Sequence, residues 1–132
     1  MDAREMEVWS RLLGGSSEGD FPMALLWEAE ALARELKELG LPEPYRRQRQ
    51  AVRLLRGIAS LEGAAVAPGK PRPRPRGGRK ERLTACFHAL RRLMGEAAAR
   101  SGRRETGLLY QQVEQLCREQ CLTLAGELGM GR

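Results

Sequence analysis

The chain has 132 residues, of which 42% are hydrophobic and 5% aromatic, and its formal net charge at pH 7 is +6. This length is that of one domain, and no apolar run approaches the roughly 20 residues that a membrane-spanning helix needs. Because the N-terminus lacks the basic and apolar segments of a secretory signal and the three cysteines make an odd number, we expect reduced thiols, a cytoplasmic location and no membrane contact.

The first 20 residues predict a short helix over about 3–13 and then a linker rich in Gly and Ser. Apolar residues then recur at spacings of three and four, which is the period of amphipathic helices. The four helices predicted from this pattern span about 21–39, 44–62, 79–100 and 106–128. No segment alternates apolar and polar residues in the way that predicts a strand.

The connections between these helices predict their arrangement. Gly40 is suited to the position after a helix end, and the short turn that follows it makes the flanking helices antiparallel neighbours. Three Pro-Arg repeats exclude a helix in residues 64–78, which we expect to form a flexible loop. The expected fold is all-α: an antiparallel four-helix bundle over 21–128, made of two helical hairpins, with a frayed end at 129–132.

The charge is unevenly distributed along the chain. Residues 1–43 carry four basic and ten acidic side chains, a net charge of −6. Residues 44–104 carry seventeen basic and three acidic, a net charge of +14, and residues 105–132 carry two basic and four acidic, −2. A block of +14 predicts a polyanionic partner, and nucleic acid is the commonest polyanion that a basic protein meets.

Arginines of the second helix form a regular row. Arg46, Arg49, Arg53 and Arg56 are spaced three, four and three apart, which places them on one helix face, with Arg47 beside them. The guanidinium group has five donors in a fixed fork that suits phosphate. The other candidate nucleic-acid-binding residues lie in the loop and the third helix: Lys70, Arg72, Arg74, Arg76, Arg79, Lys80, Arg82, Arg91 and Arg92. The alternative is a charged face that is simply solvated.

The aromatic residues are scattered and predict no platform for stacking bases. We therefore expect contacts to phosphates that are independent of base sequence, with RNA favoured over DNA. The sequence indicates neither a catalytic site nor a metal site. Cys117 and Cys121 lie on one helix, and Cys86 with His88 on another, but their spacing does not match a zinc site. We predict no metal, no cofactor and no catalytic residue.

Three stretches resemble small basic four-helix-bundle proteins: residues 41–50, which open a helix, residues 82–93, and Tyr110 with 113–116. The group includes the accessory variability determinant of diversity-generating retroelements and the proteins encoded in ribosomal RNA intervening sequences. This resemblance implies a ring-shaped homo-oligomer that docks onto a reverse transcriptase and its RNA. The chain equally resembles the small helical subunits of CRISPR effector complexes, which implies a role in antiviral defence.

The sequence thus predicts a non-enzymatic, nucleic-acid-binding helical subunit of a ribonucleoprotein or DNA-processing complex. Two alternatives stay open. One is a protein-interaction adaptor whose acidic and basic halves dock different surfaces or drive self-association. The other is a small helical inhibitor, of the kind encoded by phages or mobile elements, that docks an acidic partner.

Overall fold

The computed structural model describes residues 23–64, 79–102 and 104–127. These residues form four helices: α1 (Met23–Glu38), α2 (Pro42–Leu61), α3 (Arg79–Arg100) and α4 (Arg104–Glu127). They contain no strand, so the all-α class is confirmed. The predicted N-terminal helix, most of the Pro-Arg loop and the chain end at 128–132 lie outside the described residues.

The helix α2 begins at Pro42, two residues before the predicted start. Proline has no N–H, and the first turn of a helix has no intrahelical acceptor for one, so Pro42 fits this position without loss. The N–H of Tyr45 donates to the carbonyl oxygen of Leu41 at 3.0 Å, which closes the first turn. Pro42 therefore begins α2, although the sequence pattern predicts the start of this helix at about residue 44.

Two glycines end α1 and α2 in the same way. Gly40 and Gly63 each have a φ of 70°, the left-handed conformation that glycine adopts without a steric penalty. The N–H of Leu41 donates to the carbonyl of Leu36, and that of Gly40 to the carbonyl of Lys37. These two bonds are the Schellman pattern, and they satisfy carbonyls that the helix end leaves open. The predicted role of Gly40 is confirmed.

Extensive contacts join α1 to α2, α2 to α4, and α4 to α3. Between α3 and α4, His88 lies beside Cys121 and Ser101 beside Thr106, so residue numbers rise along one helix as they fall along the other. This packing is consistent with the predicted antiparallel bundle. All four helices contribute buried apolar side chains, and the large, fully buried ones include Leu25, Leu26, Leu32, Leu36, Leu55, Ile58, Leu83, Phe87, Leu90, Leu93, Met94 and Leu124.

A buried polar cluster, together with the buried apolar face of α2, orients this helix between its neighbours. Gln48 donates from Nε2 to the carbonyl of Ala29 on α1 at 3.0 Å. Gln120 of α4 donates from Nε2 to the carbonyl of Pro44 at 2.7 Å. Both glutamines are almost completely buried, where an unmade hydrogen bond is costly. The rotation of α2 that satisfies both bonds leaves its arginine row facing outward. None of the described helices is long and apolar enough to cross a membrane.

Candidate nucleic-acid interface

A groove of about 350 Å³ runs along the outer side of the α1–α2 hairpin. Side chains of both helices form its walls, because the short turn at Gly40 places the two helices side by side. The described residues that line it are Glu30, Ala33, Arg34 and Lys37 of α1, and Tyr45, Arg49, Val52, Arg53 and Arg56 of α2.

The groove is strongly electropositive. Among the described residues that line it, five are cations and Glu30 is the one carboxylate. Glu30 accepts a hydrogen bond from Arg56 at 3.3 Å, in a partly exposed pair of the kind that contributes about 0–1 kcal/mol. Within the described part of the chain, Arg34, Lys37 and Arg53 form no ion pair. Cations from two helices therefore converge on one concave surface, which suits an anionic ligand.

Tyr45 and Arg49 form a contact within this groove. The Arg49 guanidinium lies over the Tyr45 ring, 6.0 Å from its centroid, and one of its nitrogens donates to the Tyr45 hydroxyl at 3.3 Å. Cation–π contacts of this kind are worth about 0.5–1 kcal/mol at exposed sites. The contact holds an otherwise flexible arginine in place at the groove wall.

The structure divides the predicted arginine row. Arg49, Arg53 and Arg56 line the groove together. Arg46 is exposed and pairs with Glu43 one turn earlier at 3.3 Å, outside the groove lining. The row is thus a three-residue wall with Arg46 as an outlying neighbour.

Arg47 faces the opposite side of α2. Its guanidinium donates to the Thr123 hydroxyl at 2.9 Å and to Gln120 at 3.2 Å, and it lies 3.5 Å from the carboxylate of Glu119. All three partners are on α4, so Arg47 joins two helices. Its position next to the row predicts a phosphate contact, but neighbouring residues on a helix point about 100° apart, and Arg47 lies on the α4 side.

Two cations and an aromatic residue of the groove were not foreseen as parts of a site. Arg34 and Lys37 lie in the first segment, whose net charge of −6 predicts no cationic surface. Tyr45 is one of the scattered aromatic residues, which predict no stacking platform. The sequence nevertheless contains a pattern that identifies the two cations of α1. Arg34 and Lys37 are three residues apart on the outer side of α1, and the short turn places that side next to Arg49 and Arg53.

Arg91 and Arg92 line a different groove, between α3 and α4. Its described lining is His88, Arg91, Arg92, Gly95, Glu96, Ala99 and Glu114, so the two arginines share it with two carboxylates. Burial, and then the neighbouring Arg91 guanidinium, lower the pKa of His88. This second groove is of mixed charge, and the structure does not bring its arginines together with those of the α1–α2 groove.

The remaining predicted residues divide into two sets. Lys70, Arg72, Arg74 and Arg76 lie outside the described residues. Arg79, Lys80 and Arg82 lie in the first turn of α3, whose backbone is described.

The cysteines lie between α3 and α4, away from the basic groove. Cys86 and Cys117 are buried, whereas Cys121 is half-buried with its Sγ 3.8 Å from Nδ1 of His88. The described residues contain no group of three or more His, Cys, Asp or Glu side chains that is placed to hold a metal ion. Burial raises the pKa of the Cys121 thiol, so this thiol is less ionised than a fully exposed one.

Stability is expected to fall in alkali. Burial, and then the neighbouring Cys121, raise the pKa of Cys117 from 9.0 to about 12, and burial followed by the Glu62 carboxylate raises the pKa of Tyr110. Above pH 9 the unfolded chain loses the thiol proton while the folded chain retains it. The free energy of unfolding therefore falls, by up to about 1.4 kcal/mol per pH unit for Cys117.

Urea unfolding at pH 8, 9 and 10.5 measures this loss. The Cys117→Ala variant is less stable at every pH because it leaves a cavity, but its stability falls less steeply above pH 9. Equal slopes in the two proteins would show that Cys117 ionises as readily in the folded chain as in the unfolded one.

We compared the chain with protein-family models, curated proteins and solved structures. None of them matches it. A proposal for its function therefore depends on the chemistry of the groove.

Proposed function

We propose that this protein binds the sugar–phosphate backbone of nucleic acid, without catalysis, as a subunit of a ribonucleoprotein or DNA-processing complex. The observation that supports this proposal is the α1–α2 groove, in which five cationic side chains from two helices line one concave surface. A phosphate bound there receives charge-assisted hydrogen bonds, which are about twice as strong as neutral ones.

Three of the cations in the groove have no carboxylate partner among the described residues: Arg34, Lys37 and Arg53. Like charges that are close together repel. A phosphate between the walls relieves that repulsion and releases counterions from the nucleic acid, which is the main source of affinity for backbone-binding proteins.

The lining also supports binding that ignores base sequence. Of the nine described lining residues, none is Asn or Gln, the amide side chains that recognise adenine edges, and the proposal assigns the five cations, which elsewhere also bind guanine edges, to phosphate. Contacts to phosphate carry no sequence information. A protein with phosphate contacts alone binds nucleic acid but does not select a particular sequence, so other subunits of a larger complex would have to select it. This requirement supports the proposed role as a subunit.

A double substitution in the α2 wall tests the proposal. We expect Arg49→Gln/Arg53→Gln to weaken binding to labelled RNA and DNA by about tenfold or more at 50 mM salt, for every base sequence alike. The slope of log K against log salt concentration should become shallower by about 1.4–1.8, since each lost phosphate contact removes about 0.7–0.9. Fluorescence anisotropy at 50–200 mM salt measures both quantities.

The control removes the same charge elsewhere. Arg104 and Arg118 are exposed on α4, outside the groove, and Arg104→Gln/Arg118→Gln should keep most of the affinity. An unchanged salt slope in the groove variant would refute the proposal. If the unaltered protein binds no nucleic acid at 50 mM salt, the basic groove serves an acidic protein partner instead.

A further inference from the structure

We propose that the α1–α2 groove holds a single strand of nucleic acid, with its backbone between the two helices and a base stacked on Tyr45. This inference rests on the proposed function and narrows it to one class of ligand. It follows from two features of the groove: cations on both walls and an aromatic ring among them.

The two cationic walls favour a single strand over a duplex. Arg34 and Lys37 lie on the α1 wall, facing the arginines of α2 across the groove. The axes of packed helices are only about 8–10 Å apart. Duplex DNA is much wider, since its major groove alone is about 12 Å across and admits a whole helix. A duplex therefore rests on the rim, whereas a single backbone enters and contacts both walls.

The size of the groove sets the length of strand that it encloses. Its volume of about 350 Å³ is near the lower limit of ligand sites, which measure about 300–1,000 Å³. The cations of α2 span Arg49 to Arg56, a rise of about 10 Å along the helix. The groove thus accommodates a short segment of a strand, and the rest of the strand lies outside it.

Tyr45 supplies the contact that a phosphate site alone lacks. Its ring is half-buried against the core, which fixes its position, and it lines the groove. The Arg49 guanidinium lies over the ring, 6.0 Å from its centroid, and is a second planar group on which a base stacks. Stacking on aromatic and guanidinium planes accepts every base, which agrees with a site that ignores sequence. In a duplex the bases are paired and stacked on one another, so they are not available to stack on Tyr45.

The test compares strand types with the full-length chain. The ligands are a labelled single-stranded RNA, the matching single-stranded DNA, the same DNA as a duplex, and the single strand with abasic sites. We expect the single strands to bind more tightly than the duplex. The α1-wall variant Arg34→Gln/Lys37→Gln should lose about tenfold or more in affinity for single strands and change little for the duplex.

Tyr45 variants test the stacking contact. Tyr45→Leu should lose about tenfold in affinity for single strands and bind the intact and abasic strands equally, because stacking is gone. Tyr45→Phe keeps the ring without the hydroxyl and should retain the affinity. The variant Arg104→Gln/Arg118→Gln remains the charge control, and circular dichroism confirms that each variant is folded.

The possible results separate this inference from the proposed function. Salt-dependent binding that is equal for duplex and single strand, or an Arg34→Gln/Lys37→Gln variant that weakens both alike, overturns the single-strand inference and leaves backbone binding intact. A Tyr45→Leu variant with unchanged affinity overturns the stacking contact. No binding of any ligand overturns both proposals. The RNA and DNA strands, compared with each other, show whether the 2′-hydroxyl contributes.

Discussion

Phe87→Ala is expected to lower the free energy of unfolding by about 3–5 kcal/mol, the usual cost of truncating a buried aromatic residue. Phe87 has no exposed surface and belongs to the core shared by the four helices. The substitution removes apolar contact area and leaves a cavity that the packed helices fill only in part. Because small domains have only about 5–15 kcal/mol of stability, this one change should remove a large share of it.

Chemical denaturation with urea, followed by circular dichroism, measures the loss. The control is Leu122→Ala, at an apolar position of α4 that is 73% exposed, where the expected change is within about 0.5 kcal/mol. Similar losses for the two variants would contradict the packing described here, since only one of the two side chains is inside the core.

Gln120→Ala is expected to cost about 2–4 kcal/mol, although the position is polar. Its side chain has no exposed surface, donates to the carbonyl of Pro44 and accepts a hydrogen bond from Arg47. The substitution deletes these two bonds and a third, from Nε2 to Oε1 of Gln48 at 3.4 Å, and leaves a small cavity beside α2. Since this cluster holds the rotation of α2, we also expect a modest loss of nucleic-acid affinity.

The matched control is Gln115→Ala, one of the exposed glutamines of the same helix. Its effect on the free energy of unfolding should stay within about 0.5 kcal/mol. Thermal and urea unfolding compare the two variants directly. A Gln120→Ala protein as stable as the Gln115→Ala protein would show that the buried cluster is not needed to hold α2 and α4 together.

Helix positions were predictable to within about two residues, because apolar periodicity and glycine or proline signals are local properties. The third helix was predicted over 79–100, and its observed bounds are Arg79–Arg100. The end of α1 followed from Gly40. The start of α2 lies two residues before the predicted one, because proline, which ends many helices, is also suited to the first helical position.

The site was predictable only in part. Spacing alone places Arg49, Arg53 and Arg56 on one face, and the structure retains that set. Arg47 adjoins this set in sequence, but the structure places it on the other side of α2, where it bonds to α4. Arg34 and Lys37 are distant in sequence from the three arginines and lie in an acidic segment. The net charge of that segment therefore does not predict that they belong to a basic site.

The amino-acid sequence by itself determined the helical class, the helix ends and the presence of a basic face, because these depend on residues a few positions apart. The tertiary structure decided which cations share a surface. That choice depends on how α2 packs between α1 and α4, where its apolar face is buried and where Gln48 and Gln120 form hydrogen bonds to partners 19 and 76 residues away in sequence. Periodicity within one helix carries no information about such distant partners, so the groove and the place of Tyr45 in it emerge only when the helices pack.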